Sequence, residues 1–188
     1  MMRSDWGIIE KIMNSEIFKA NIRNVPDFPQ KGIQFKDVTT LFKDPKVFSL
    51  LSDEIYNECK GKGITKVVGI ESRGFIMGPI LASRLGVGFI PIRKPGKLPC
   101  DVYEESYAKE YGVDAVQIHK DALSENDVVV IHDDLLATGG TMLAACRLMQ
   151  HFNIKKIYVN FLIELEDLKA RKLFDENIEI SSLIKYSI

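Results

Sequence analysis

Absences set the first limits on this chain. Its 188 residues hold three cysteines, Cys59, Cys100 and Cys146, an odd number without C-x-x-C spacing, so neither a disulfide framework nor a zinc site is suggested. Reduced thiols point to the cytoplasm. No apolar run reaches the ~18 residues of a membrane span, and Arg3, Asp5 and Glu10 interrupt the apolar N-terminus, so no span or signal peptide is visible. Charge of either sign is not in excess: 25 Lys and Arg face 26 Asp and Glu, a net charge of −1. Nothing electrostatic therefore calls for nucleic acid or an anionic membrane as partner, and any polyanionic ligand must be met by local positive charge. The three histidines, His119, His132 and His151, are too scattered for a metal site and read as structural. Internal repeats and low-complexity segments are missing. So are Gly-Lys-Ser/Thr and Gly-x-Gly-x-x-Gly, which excludes a nucleotide-triphosphate loop and a dinucleotide fingerprint.

What is there is an ordinary globular composition, 46% hydrophobic and 27% charged, at a length that suits one domain over 1–188. Its most informative stretch is 128–141, Val-Val-Val-Ile-His-Asp-Asp-Leu-Leu-Ala-Thr-Gly-Gly-Thr. Val128 to Ile131 read as a buried strand ending at Asp133. Leu135 to Gly140 supply a turn, and Thr141 opens a helix whose apolar face is Met142, Ala145, Met149 and Phe152. A helix start offers free N–H groups and a positive dipole end, and two glycines let backbone wrap round an anion. Thr138 and Thr141 add hydroxyl donors. The result is a phosphate cradle. Asp133 and Asp134 beside it would repel phosphate but accept hydrogen bonds from vicinal hydroxyls, so the natural ligand is a ribose 5-phosphate.

The rest of the chain alternates strands and helices, the pattern of an α/β fold with a parallel sheet. Residues 1–11 read as an extension, and Ile12 or Met13, Ile17 and Ala20 mark a short helix. Pro26, Pro29 and Gly32 punctuate a loop carrying Phe28 and Phe35. Asp44-Pro45 caps a helix with Phe48, Leu51, Ile55 and Cys59 on one face. Thr65–Ile70 and Val87–Ile92 read as parallel strands. Between them Glu71-Ser72-Arg73-Gly74 precedes a helix, where Arg73 offers a planar fork and Gly74 close approach, a combination that suits a diphosphate. Arg93, Lys94 and Lys97 form a basic loop. They open a long segment, about 93–118, containing strands Val102–Tyr107 and Val113–Ile118 and read as a functional lid. Lys156–Ile163 is a further strand with Glu164-Leu165 at its ligand-side end, Asp167–Phe174 a short helix and Ile178–Ile184 an edge strand.

The 128–141 stretch resembles the PRPP (phosphoribosyl pyrophosphate) motif of the type I phosphoribosyltransferases, and the resemblance extends over about residues 22–184. It implies a central, mostly parallel sheet flanked by helices, with a small hood and a flexible loop. It assigns Asp133 and Asp134 to the ribose and, through water, to Mg²⁺, and Ala137, Thr138, Gly139, Gly140 and Thr141 to the 5-phosphate. Ser72, Arg73 and Gly74 match the pyrophosphate loop, which in the family often holds a cis peptide without proline. Arg93, Lys94 and Lys97 are the other pyrophosphate cations. Asn-Val-Pro-Asp-Phe-Pro…Gly…Phe-Lys-Asp matches the adenine-specific branch: there a phenyl, here Phe35, stacks on the base, backbone of Gln34 and Lys36 bonds its edge, and Leu165 faces the phenyl. The hood pattern is met by Ser106, Tyr107, Glu110, Tyr111 and Gly112, with Glu110 as catalytic acid/base. Branches that take 6-oxopurines use a lysine where this chain reads Ile163-Glu164-Leu165-Glu166. The implied reaction converts adenine and PRPP to AMP and pyrophosphate in a cytoplasmic homodimer that needs neither nucleic acid nor membrane. Two other readings stay open at this point: a transferase for xanthine or orotate, and a non-catalytic PRPP sensor.

Overall fold

The computed structural model describes residues 2–108 and 112–187, with side chains from Ile9 onward. The chain forms two compact units, 1–54 and 55–188.

In the first unit, α1 (Met2–Asn21) is followed by β1 (Arg23–Pro26), β2 (Gln34–Asp37) and α2 (Thr39–Lys43). The punctuated loop at 24–37 is thus an antiparallel hairpin, with Val25 opposite Phe35. The Phe28–Pro29 bond is cis. Helix α1 begins well before the position expected and turns differently: Ile12, Met13 and Ile17 are 59%, 60% and 40% exposed, whereas Asn14 and Phe18 are buried. Asn14 can occupy the inner face because its Nδ2 donates to Glu54 Oε1 at 2.9 Å. Helix α3 (Pro45–Cys59) runs across the division at Glu54, and its start is capped as expected: Asp44 Oδ1 accepts from the N–H groups of Lys46 (2.8 Å) and Val47 (3.1 Å). Leu51, Ile55 and Cys59 on its predicted face are buried.

The second unit is built on a five-stranded parallel sheet of β3 (Lys66–Ile70), β4 (Gly88–Ile92), β7 (Val128–Leu136), β8 (Lys156–Leu165) and β9 (Glu179–Tyr186), in the order β4-β3-β7-β8-β9. All neighbours are parallel, and the central strands are near-continuous buried runs, as a sheet covered on both faces requires. Helix α4 (Gly74–Leu85) covers one face. Gly69 of β3 and Gly78 of α4 leave the space that the Phe89 ring fills, since a Cβ on either would lie 2.7 Å from it. Helix α5 (Gly140–Gln150) covers the other face, where its Met142, Ala145 and Met149 join Val68, Ile70, Val129, Ile131 and Phe161 in one apolar cluster with Phe152. The hood is an antiparallel pair, β5 (Val102–Ala108) and β6 (Val113–His119), tied to the residue after β4 by mutual backbone bonds between Arg93 and Gln117.

In the second unit, two elements next to the phosphate turn differ from expectation. Strand β7 does not stop at Asp133 but runs through Leu136, because β8 is ten residues long and offers Phe161, Ile163 and Glu164 as partners to Asp133, Leu135 and Leu136. The expected helix at 167–174 is two 3₁₀ turns, Glu166–Leu168 and Ala170–Leu173, broken at Lys169, whose φ of 52° is left-handed.

Candidate functional site

In the second unit, the predicted site residues collect at the C-terminal ends of β3, β4, β7 and β8. Strand β3 is where the sheet reverses, with β4 on one side and β7 on the other, so the loops after β3 and β7 diverge around a crevice.

The β7–α5 turn supplies the anion end. Gly139 has φ 84°, and a Cβ there would lie 3.2 Å from Ala170 Cβ and 3.3 Å from Leu173 Cδ1, so only glycine fits both the backbone and the space. Gly140 starts α5, and Asp133, the end of β7 and the Ala137–Met142 turn line a small cavity of about 80 Å³. The first N–H groups of a helix have no partner within the helix, and a helix start beside a small cavity suits one phosphoryl group.

Asp133 lines the cavity, and Asp134 follows on β7. Burial, followed by the neighbouring charge of Asp134, raises the Asp133 carboxyl well above the ordinary value, although part of its surface is open. Asp134 is buried and accepts from Arg73 Nε, so the Ser-Arg-Gly loop is tied directly to the acidic pair. Gly74 packs against the same pair: a Cβ on it would meet His132 O at 2.7 Å and Asp133 Oδ1 at 3.3 Å. The Glu71–Ser72 peptide is cis, as the resemblance led one to expect.

The predicted cations are not simply solvated. Arg93 donates from Nε and NH2 to Glu71, both at 3.1 Å, and Glu71 also accepts from Lys94 N at 3.2 Å. The Arg93 bonds, outweighing burial, hold the Glu71 carboxyl below its usual range. Lys94 Nζ donates to Asp114 Oδ2 at 2.5 Å and to Tyr107 OH at 2.8 Å. Burial pulls the Lys94 ammonium down, but those two bonds raise it overall. Lys97 is exposed on the turn, where its charge helps to keep Glu71 ionised.

At the end of β8, Leu165 is half-buried and pairs in register with Tyr186. Glu164 is held by Arg171 and Ser182 and is thereby not a free ligand group. In the first unit, Phe35 is half-buried on β2 with the ring of Phe28 edge-on at 5.1 Å. Gln34 and Lys36 flank it, and their side chains both bond Asn24. Glu110 and Tyr111 lie outside the described residues. Sequence reasoning missed Glu71, Asp114 and the Glu164–Arg171 pair. Glu71 could have been found from its place beside Ser-Arg-Gly, and Asp114 from its position opposite Tyr107 once β5 and β6 were paired.

A model of the phosphoribosyl transferase domain matches residues 41–183. An adenine phosphoribosyltransferase of Bacteroides thetaiotaomicron is 64% identical over 173 residues, covering 92% of this chain and 98% of that protein. The chain belongs to the adenine phosphoribosyltransferases. The crystal structure of the adenine phosphoribosyltransferase from Rhodothermus marinus superposes with a TM-score of 0.87 at 43% identity, over 93% of this chain and 99% of the other. That from Saccharomyces cerevisiae, complexed with D-2,5-dideoxy-2,5-imino-altritol 1,6-bisphosphate and adenine, gives 0.83 at 38% identity over 92% and 99%. These matches extend along the whole phosphoribosyltransferase chain, so the family's fold and reaction class, a pentosyl transfer, apply to this protein.

Proposed function

We propose that residues 1–188 work as one transferase that moves 5-phosphoribosyl from PRPP to adenine, giving AMP and pyrophosphate, with each site residue in the role now described. The observation that carries this reading is the junction of an acidic pair, Asp133-Asp134, with a helix-start anion cavity on one side and the Arg73 loop on the other. A diphosphate-bearing ribose 5-phosphate has those three chemistries in that order.

Ala137 to Thr141 hold the 5-phosphate through N–H groups and the hydroxyls of Thr138 and Thr141. Asp133 and Asp134 accept from the ribose hydroxyls. Ser72, Arg73 and Gly74, with Arg93, Lys94 and Lys97, take the pyrophosphate. As the bond from ribose C1 to the pyrophosphate oxygen lengthens, negative charge grows on the leaving group and positive charge on the ring, so fixed cations on one side and carboxylates on the other both stabilise the transition state. No covalent nucleophile is required. Phe35 stacks on adenine, with backbone of Gln34 and Lys36 at its edge. Leu165 is the apolar residue that the family resemblance assigns to the base. Glu110 is the acid/base for the purine nitrogen, with Tyr107 and Tyr111 as its hood neighbours.

Asp133 and Asp134 also fit Mg²⁺. Two neighbouring carboxylates, Asp134 buried and Asp133 half-buried, with Asp133 raised first by burial and then by its neighbour's charge, are relieved by a hard cation. Among the described residues no group of three or more His, Cys, Asp or Glu could enclose such an ion, so the fit is to a cation that keeps waters and substrate oxygens as its other ligands. When bound, Mg²⁺ would neutralise pyrophosphate charge. A homodimer in the cytoplasm completes the reading. It is supported by the family resemblance. Among the described residues no helix is long and apolar enough to cross a membrane.

A spectrophotometric assay with adenine, PRPP and Mg²⁺ tests the reaction, with orotate and xanthine as rival bases. AMP formation from adenine alone is expected, and turnover of a rival base without adenine would overturn the choice. Glu110→Gln should lower kcat by about 10²-fold or more. A full rate would remove Glu110 from its role.

A further inference from the structure

The Tyr107 ring adjoins the phosphate turn at Gly140, where a Cβ would lie 3.5 Å from Tyr107 Cδ2, while its hydroxyl contacts Lys94 and Asp114. Tyr107 and Asp114 face each other across the hood pair, and Lys94 Nζ reaches both, lying also 5.3 Å from the centre of the Tyr107 ring. The Lys94 and Asp114 side chains are 35% and 21% exposed, so the pair is open enough for a phosphate oxygen to take the carboxylate's place. Every contact that Asp114 Oδ2 makes with Lys94 is one that an anionic oxygen would make.

We propose that Asp114 is a resident counter-anion for Lys94, occupying the ammonium's pyrophosphate position between turnovers and competing with pyrophosphate for it. This rests on the assignment of Lys94 to pyrophosphate. Asp114 is therefore a positioning residue. It keeps Lys94 folded against Tyr107 at the site when pyrophosphate is gone, and it speeds release of pyrophosphate by reclaiming the ammonium. The phenol hydroxyl, which donates to Asp114 at 3.2 Å, stays beside Lys94 in both states and sets where the exchange takes place.

The experiment compares inhibition constants of inorganic pyrophosphate and of AMP in the forward reaction for wild type, Asp114→Asn, Asp114→Glu, Lys94→Ala and the Lys94→Ala/Asp114→Asn double variant. Asp114→Asn should tighten pyrophosphate about five-fold, the scale of a part-exposed ion pair, and leave AMP within about two-fold. Asp114→Glu keeps the charge and should stay near wild type. In the Lys94→Ala background the Asp114→Asn effect should vanish. Weaker pyrophosphate inhibition in Asp114→Asn, or equal tightening of AMP, overturns the proposal. Unchanged pyrophosphate inhibition in Lys94→Ala would instead overturn the assignment of Lys94 itself. Should Asp114→Asn fail to fold, Asp114→Ser poses the same question.

Discussion

Arg171 grips Glu164 with two parallel bonds, Nε to Oε1 at 2.6 Å and NH2 to Oε2 at 2.7 Å. Ser182 Oγ donates to the same carboxylate at 2.5 Å, and Arg171 NH1 reaches Ile180 O at 2.9 Å. Burial alone would raise the Glu164 carboxyl, but these bonds lower it overall. The arginine sits in the 3₁₀ turn whose Ala170 and Leu173 press on Gly139, so one ion pair ties the end of β8 to the phosphate turn.

Arg171→Ala should consequently destabilise the fold by about 2–3 kcal/mol, below the full cost of breaking a buried pair because the arginine is partly exposed. Urea unfolding measures this. Glu164→Gln/Arg171→Met, which removes both charges, should recover more than half of the loss.

Gly139→Ala meets two obstacles at once, a left-handed φ and a Cβ contact at 3.2 Å. Distortion of the turn should raise KM for PRPP at least about ten-fold, since ~1–2 kcal/mol of backbone strain falls on the phosphate N–H groups. KM for adenine should move much less, and steady-state kinetics with each substrate varied separates the two.

His132 makes the fold acid-sensitive. It is fully buried, its Nδ1 bonds Asn160 Oδ1 at 2.8 Å, and its Nε2 has no partner among the described residues. Burial depresses it from 6.5 to about 4, so the unfolded chain takes the proton first. Stability is then complete above about pH 6.5 and lost as pH falls toward 4, by ~3 kcal/mol over that window. Denaturation midpoints between pH 7 and 4 should show it. His132→Leu should flatten the slope while costing ~1 kcal/mol at pH 7 for the Asn160 bond.

Glu71→Gln should leave Arg93 without its charged anchor. Arg93 then loses its fixed direction, and KM for PRPP should rise about ten-fold, equivalent to ~1.4 kcal/mol. AMP inhibition should be nearly unchanged, because AMP lacks the pyrophosphate. Equal losses for both ligands would show that Glu71 merely supports the loop.

Much of the fold was legible because its signals are local. All-apolar runs at Val67–Ile70 and Val128–Ile131, glycines at the helix starts and the Asp44 cap each act within a few residues. The misread parts depend on distant partners. Strand β7 extends past its acids only because β8 is there to pair with it, and Asn14 turns inward only because Glu54 receives it. The ion pairs at Arg73, Arg93 and Lys94 link residues 61, 22 and 20 positions apart, separations at which a single sequence carries no pairing signal.

A sheet whose strands all point the same way puts one rim of the protein under chemical constraint and leaves the opposite rim with only mechanical duties. There the connections at 60–65, 86–87 and 153–155 merely return the chain, and Asp127 staples two of the strand entrances by accepting from Thr65 and Ser124. Tags, cross-links to a support or short fused peptides placed on that far rim, away from Asp127, should leave turnover intact, whereas the same additions at residues 71–74, 93–97 or 137–141 would abolish it.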